Sequence, residues 1–168
     1  MELNTLQDLY VDELRDLLSA ENQILKALPK MAKAASSPQL ARAFQEHLNQ
    51  SQEHVARLTR IFEMMGEKPR AKKCKGMEGI IEEGKDLVDE AETDEARDAA
   101  MISAAQKVEH YEMASYGAVR TYAKHLGQNE AAELLQRTLD EEGETDKKLT
   151  QLAESGINVQ AQHAEANA

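Results

Sequence analysis

The 168-residue chain has no tryptophan, one cysteine, three prolines and eight glycines, and aromatic residues make up only 4% of it. The lone Cys74 excludes an intrachain disulfide framework and fits a reducing cytoplasm. No apolar run is long enough to span a membrane, and none near the N-terminus resembles a signal peptide. Basic residues are outnumbered 31 to 20, leaving a net charge of −11. That balance argues against nucleic acid as a partner, because phosphate binding needs a basic footprint. There is no Gly-rich phosphate loop, no Cys-x-x-Cys and no hydrolase nucleophile motif. What remains is abundant Ala, Glu, Leu, Lys and Gln with few breakers, the profile of one all-α domain.

Punctuation bounds the helices. The first runs from about Thr5 to Ala35, with Leu6, Tyr10, Leu14, Leu17, Leu18, Leu25 and Leu28 on its apolar side and Pro29 predicting a kink. Ser37 and Pro38 open the second, which Gly66 closes. A polar connector, Glu67 to Lys75, leads to a shorter helix over about Met77 to Glu92. Thr93 and Asp94 cap the next, Glu95 to Leu126, and Gly127 ends it. Asn129 is expected to cap the last, which runs to about Ser155. The expected architecture is an antiparallel four-helix bundle over residues 1–155, with the extra short helix in its long crossover. Residues 156–168 are small and polar without periodicity, and read as a flexible tail.

Four acids break the apolar stripes. Wrapped at about 100° per residue, Glu21 falls among Leu14, Leu17, Leu18, Leu25 and Leu28. Glu112 shares a face with Val108, Ser115, Tyr116 and Val119, and Glu142 and Asp146 share one with Leu135, Leu139 and Leu149. A buried carboxylate is costly unless it is paired, protonated or bound to a metal. Counting from the hairpin turns brings Glu21, Glu112, Glu142 and Asp146 to the height of Gln50 and His54 on the second helix. Hard oxygens with an imidazole suit Fe(II) or Mn(II) better than zinc.

Four segments carry a family resemblance: Ser19 to Gln23, Leu28 to Met31, Ala105 to Glu112, and Asp140 to Asp146. They are similar to the YciF-like bacterial stress proteins, within the ferritin-like superfamily, and the likeness extends to about Ala153. It implies a bundle-core centre holding one or two Fe or Mn ions, fed by Glu residues and Glu-x-x-His pairs. It further implies oxidation of Fe(II) by dioxygen or peroxide in stress protection. On this resemblance Glu21 and Glu112 are terminal ligands, Glu142 a bridge, Asp146 and His54 the completing ends, and Glu109 a mobile carboxylate paired with Glu112. Gln50 departs from the pattern, since relatives often carry Glu at that position. A homodimer is expected, with no membrane insertion.

Other residues have plainer readings. His47 packs or supports a ligand, His110 is solvated, and Tyr116 packs in the core or bonds a ligand carboxylate. Cys74, flanked by Lys72, Lys73 and Lys75, reads as a surface thiol unless that charge activates it. Three functional classes stay open: a di-metal oxidoreductase, a metal-binding or structural stress protein without turnover, and a helical interaction module.

Overall fold

Three of the four long helices start on a side-chain cap. Thr5 Oγ1 accepts from the Asp8 N–H at 3.1 Å while Asp8 accepts from the Thr5 N–H at 3.0 Å, a capping box that opens α1, Leu6–Ala34. Ser37 caps α2, Pro38–Met64, and Thr93 caps α4, Asp94–His125. The structure, a computed structural model, describes residues 2–165. Between α2 and α4 lies the short α3, Lys75–Asp89, and after α4 come α5, Asn129–Leu152, and α6, Asn158–His163. No strand occurs among the described residues. Asn129 is not the cap expected of it: Gln128 holds the cap position of α5 and makes no side-chain cap bond. Helix α1 continues as one segment through Pro29, whose side is exposed to water.

Gly66 and Gly127 take left-handed φ values of 69° and 72° just past α2 and α4. Each lets the next residue bond back into the last turn, Glu67 N–H to Phe62 O and Gln128 N–H to Ala123 O, both at 2.9 Å. The bundle closes as a square: α1 packs on α2 and α4, and α5 packs on the same two helices. Near the start of α4 the Asp98 carboxylate accepts from the Ser36 and Ser37 N–H groups at 2.8 and 2.7 Å. This pins the end of the crossover beside the α1–α2 turn, so neighbouring long helices run antiparallel. Helix α3 lies outside the square against α1 and α4.

Beyond Leu152 the chain does not fray where a tail was expected. It makes a wide π turn over Ala153–Ile157 with a kink at Gly156, then α6, which packs against α4. Ala153 and Ile157 bury their side chains in the core, and that burial holds the segment. Of the expected tail, residues 166–168 lie outside the described residues.

The apolar core has two halves. Around Tyr10, Leu14, Leu58, Phe62, Val119 and Leu135 lies one; around Ile24, Leu28, Phe44, Met77, Met101 and Leu149 lies the other. A polar layer separates them.

Candidate metal centre

On each long helix one row of buried positions, flanked by further buried residues, advances by alternating steps of three and four. On α1 they are Tyr10, Leu14, Leu17, Glu21, Ile24 and Leu28; on α2, Leu40, Phe44, His47, Ser51, His54 and Leu58. On α4 they are Ile102, Ala105, Glu109, Glu112, Tyr116 and Val119; on α5, Ala131, Leu135, Thr138 and Glu142, then Leu149. This 3.5-residue average is the repeat of helices that coil around one another, and it drifts from a straight 3.6-residue wheel. The layer between the apolar halves therefore holds Glu21, His47, Ser51, His54, Glu109, Glu112, Thr138 and Glu142, each at most 2% exposed.

Their ligand-type atoms form two groups that share Glu142. His47, Glu109, Glu112 and Glu142 bring one atom each within 4.8 Å of one another, and so do Glu21, His54 and Glu142. His47 Nδ1 is 3.1 Å from Glu109 Oε1, and its Nε2 is 3.6 Å from Glu142 Oε2. His54 Nδ1 is 3.1 Å from Glu21 Oε1 and 3.0 Å from Glu142 Oε1. These atoms are near one another without being aligned for hydrogen bonds. Both carboxylate oxygens of Glu109, Glu112 and Glu142, Glu21 Oε2, His54 Nδ1, His47 Nε2 and Ser51 Oγ are buried without a hydrogen-bond partner. Tyr116 donates from its hydroxyl to Glu21 Oε1 at 2.5 Å and stands edge-on to His54.

Electrostatics follow from four carboxylates facing two imidazoles in a dry core. Burial opposes charge on His47, but Glu109, Glu142 and Glu21 outweigh it and raise its pKa to about 9. For His54, Glu142 and Glu21 likewise overcome burial and raise it to about 11. Two imidazolium ions still cannot neutralise four carboxylates. Burial pushes Glu109 up to about 8 despite His47, and burial with Glu142, Glu21 and Glu109 nearby raises Glu112 well above the usual range. Glu142 goes the other way: His54 and His47 hold it low in spite of burial. The layer must thus take up protons or a cation.

One contact reaches outward. His54 Nε2 is 2.9 Å from Glu141 Oε2, and Arg57 donates to both Glu141 oxygens, Nη1 at 2.7 Å and Nη2 at 2.8 Å. Burial disfavours the Glu141 charge, but Arg57 and His54 hold its pKa below the usual value.

Of the expected site residues, Glu21, His54, Glu109, Glu112 and Glu142 meet in this layer. Gln50 and Asp146 do not. Gln50 is half-buried at the α2–α5 seam, accepting from Thr145 Oγ1 at 3.3 Å. Asp146 faces α4, where Gln106 donates to it at 3.1 Å and His110 Nε2 lies at 3.3 Å. Both sit one position off the three–four register, so Ser51 takes the place expected of Gln50. His47, expected to pack or support, lies inside the layer, and the same register would have found it.

Cys74 is not a surface thiol. It is fully buried, caps α3 by accepting from the Met77 N–H, and lies 3.0 Å from the Tyr111 hydroxyl. Burial and neighbouring Asp16 raise its pKa, the opposite of activation.

The donors fit a hard divalent cation: carboxylates from three helices, imidazoles from the fourth, and oxygens otherwise left unpaired. They depart from the Glu-x-x-His pattern, since both imidazoles come from α2 and Ser51 precedes His54 by three residues.

Known proteins share this fold along nearly the whole chain. Protein YciF of Escherichia coli K12 is 44% identical over 164 residues, covering 97% of this chain and 99% of that protein. The crystal structure of the E. coli stress protein YciF superposes with a TM-score of 0.89, over 93% of this chain and 99% of that one. YcfI of Rhodopseudomonas palustris, 36% identical, superposes at 0.87 over 89% and 95%. A Xanthomonas campestris protein, 23% identical, shares the fold at 0.74. Residues 5–162 match the family described as "Domain of unknown function (DUF892)", and the chain belongs to that family.

Proposed function

We propose that the polar layer is a metal centre for one or two iron or manganese ions, and that its work is oxidation of Fe(II) or removal of peroxide under stress. The carrying observation is the set of carboxylate oxygens on Glu109, Glu112 and Glu142 that are buried without a hydrogen-bond partner. Groups so placed cost stability unless something compensates them. Bound iron or manganese would supply one-electron chemistry toward dioxygen or peroxide. The chain's part is to hold and protect. Glu142, common to both groups, is the bridging candidate. Glu21 is oriented by the Tyr116 hydroxyl, which occupies Oε1 and leaves Oε2 for a ligand. Glu109, with a pKa near 8, is placed to give up a proton as a cation enters. The apolar halves on either side keep bulk water out.

A second reading is binding without turnover, favoured by the near-complete burial of every donor, which restricts access for a substrate. Anaerobic loading with Fe(II) or Mn(II), metal analysis, then absorbance after adding oxygen or peroxide separates the two. Bound metal with turnover supports the first reading, and bound metal alone the second. No uptake overturns both.

We propose a surface for the expected homodimer. An apolar groove between α1 and α3 carries Lys26 and Lys30 on the α1 edge. The α3 edge carries Glu78, Glu82 and Asp89 against a single lysine, Lys85. A two-fold axis running along the groove would set each edge against its opposite. In sedimentation velocity Lys30→Glu and Glu82→Lys should each weaken the dimer, and the pair together should restore it.

A further inference from the structure

Glu141 is not one of the buried acids. It stands at the flank of α5, beside Glu142 in sequence, yet it reaches the same histidine from the opposite side. His54 is fully buried, and its two nitrogens face different worlds: Nδ1 lies among the unpaired core oxygens, and Nε2 lies 2.9 Å from Glu141. Arg57 fixes that carboxylate with two bonds, at 2.7 and 2.8 Å, and also donates to Thr138 Oγ1 at 3.0 Å. The fork spans α2 and α5, so Glu141 cannot turn away without breaking a bidentate pair. His47 has no such support, since its nitrogens face Glu109 and Glu142 within the layer.

We propose that Glu141, clamped by Arg57, is the positioning residue for His54: it accepts the Nε2–H and thereby commits Nδ1 to the metal. A ligating imidazole commonly donates its other N–H to a carboxylate, which sets both ring orientation and tautomer. Here the orienting carboxylate comes from a different helix, so the α2–α5 pairing and the ligand geometry depend on one contact. The proposal rests on the metal reading above.

The test compares wild type, Glu141→Ala and Glu141→Gln, using Mn(II) titration for affinity. The same proteins, labelled with 15N-histidine and loaded with 113Cd, report which nitrogen of His54 binds the ion. Wild type should show cadmium coupling at Nδ1 and a proton at Nε2. Glu141→Ala should lose about 10–100-fold in Mn(II) affinity and spread the coupling over both nitrogens. Glu141→Gln, which keeps an oxygen acceptor, should recover most of the affinity and the Nδ1 pattern. Wild-type binding with Glu141→Ala unchanged in affinity and pattern overturns this proposal alone. A wild type that takes up neither ion overturns the metal reading together with it.

Discussion

His54 Nδ1 lies 3.0 Å from Glu142 Oε1, joining α2 to α5 through two side chains that are both fully buried. With Glu21 Oε1 at 3.1 Å from the same nitrogen, three helices converge on one imidazole. A bundle could fill this level with leucine at lower cost. Its sequence keeps acids there instead.

The register places His47 in the layer and Gln50 and Asp146 outside it. His47→Ala should lower Mn(II) affinity by about tenfold or more, the scale on which even supporting groups of a metal site act. Gln50→Ala and Asp146→Ala should each stay within roughly threefold of wild type, as expected for groups outside the ligand set. Calorimetric titration of the three variants checks this. A large loss in Gln50→Ala alone would restore the straight-wheel assignment.

The helices were legible because their ends carry strong local chemistry: caps at Thr5, Ser37 and Thr93, and left-handed glycines at Gly66 and Gly127. Glu21, Glu112 and Glu142 were legible because an acid amid leucines stands out on any helical wheel. Gln50 and Asp146 misled because a spacing of four from His54 or Glu142 stays on one helix face as well as a spacing of three does, and only the packing decides which position turns inward. Glu141 and Arg57 were not legible at all. Both lie on polar flanks, 84 residues apart, and only the packing of α5 on α2 brings them together. Ile157 was missed because it and Val159, two residues apart among small and polar ones, set up no helical period.

Glu112 offers a stability test. Its oxygens are unpartnered, and it carries its proton well above the usual carboxylate range. In chelator-treated protein Glu112→Leu should recover about 1–3 kcal/mol, the cost of an unsatisfied buried group. For a chain of this size that is about 2–4 °C per kcal/mol. Metal should raise the melting temperature of wild type more than that of the variant, so the order of stability narrows or reverses on loading. Thermal unfolding with and without Mn(II) measures both. Destabilisation of the chelator-treated variant would mean that Glu112 has a partner within the protein itself.

The histidines and Glu109 set the sign of the pH dependence without metal. Burial works against charge on His47 and His54, but the carboxylates outweigh it, giving about 9 and about 11 in place of 6.5. Burial raises Glu109 from 4.5 to about 8. Between about pH 5 and 9 the folded protein therefore binds more protons than the unfolded chain. That stability is fully present below the unfolded values and is lost as pH rises, at about 1.4 kcal/mol per pH unit for each group in its window. Glu142, held low, acts oppositely and withdraws stability only as pH falls below its ordinary 4.5. Denaturant midpoints in chelator should fall from pH 6 to pH 9. Metal affinity should rise over the same range, because the donors must shed protons to bind. Chelator-treated stability that climbs toward pH 9 would contradict the assigned shifts.

Two glycines separate the docking of α3 from its own helicity. Gly79 and Gly84 lie five residues apart on that helix, and both lower its intrinsic propensity. A Cβ at Gly79 would meet nothing within 4 Å, whereas one at Gly84 would lie 2.9 Å from the Ala104 Cβ on α4. Gly79→Ala should therefore stabilise the protein by about 0.5–1 kcal/mol. Gly84→Ala gains the same propensity but must push α3 away from α4, and overpacking of that kind costs about 1–3 kcal/mol. The two variants should thus move the denaturant midpoint in opposite directions. Equal stabilisation by both would mean that α3 rests loosely on the bundle, with no close contact at Ala104.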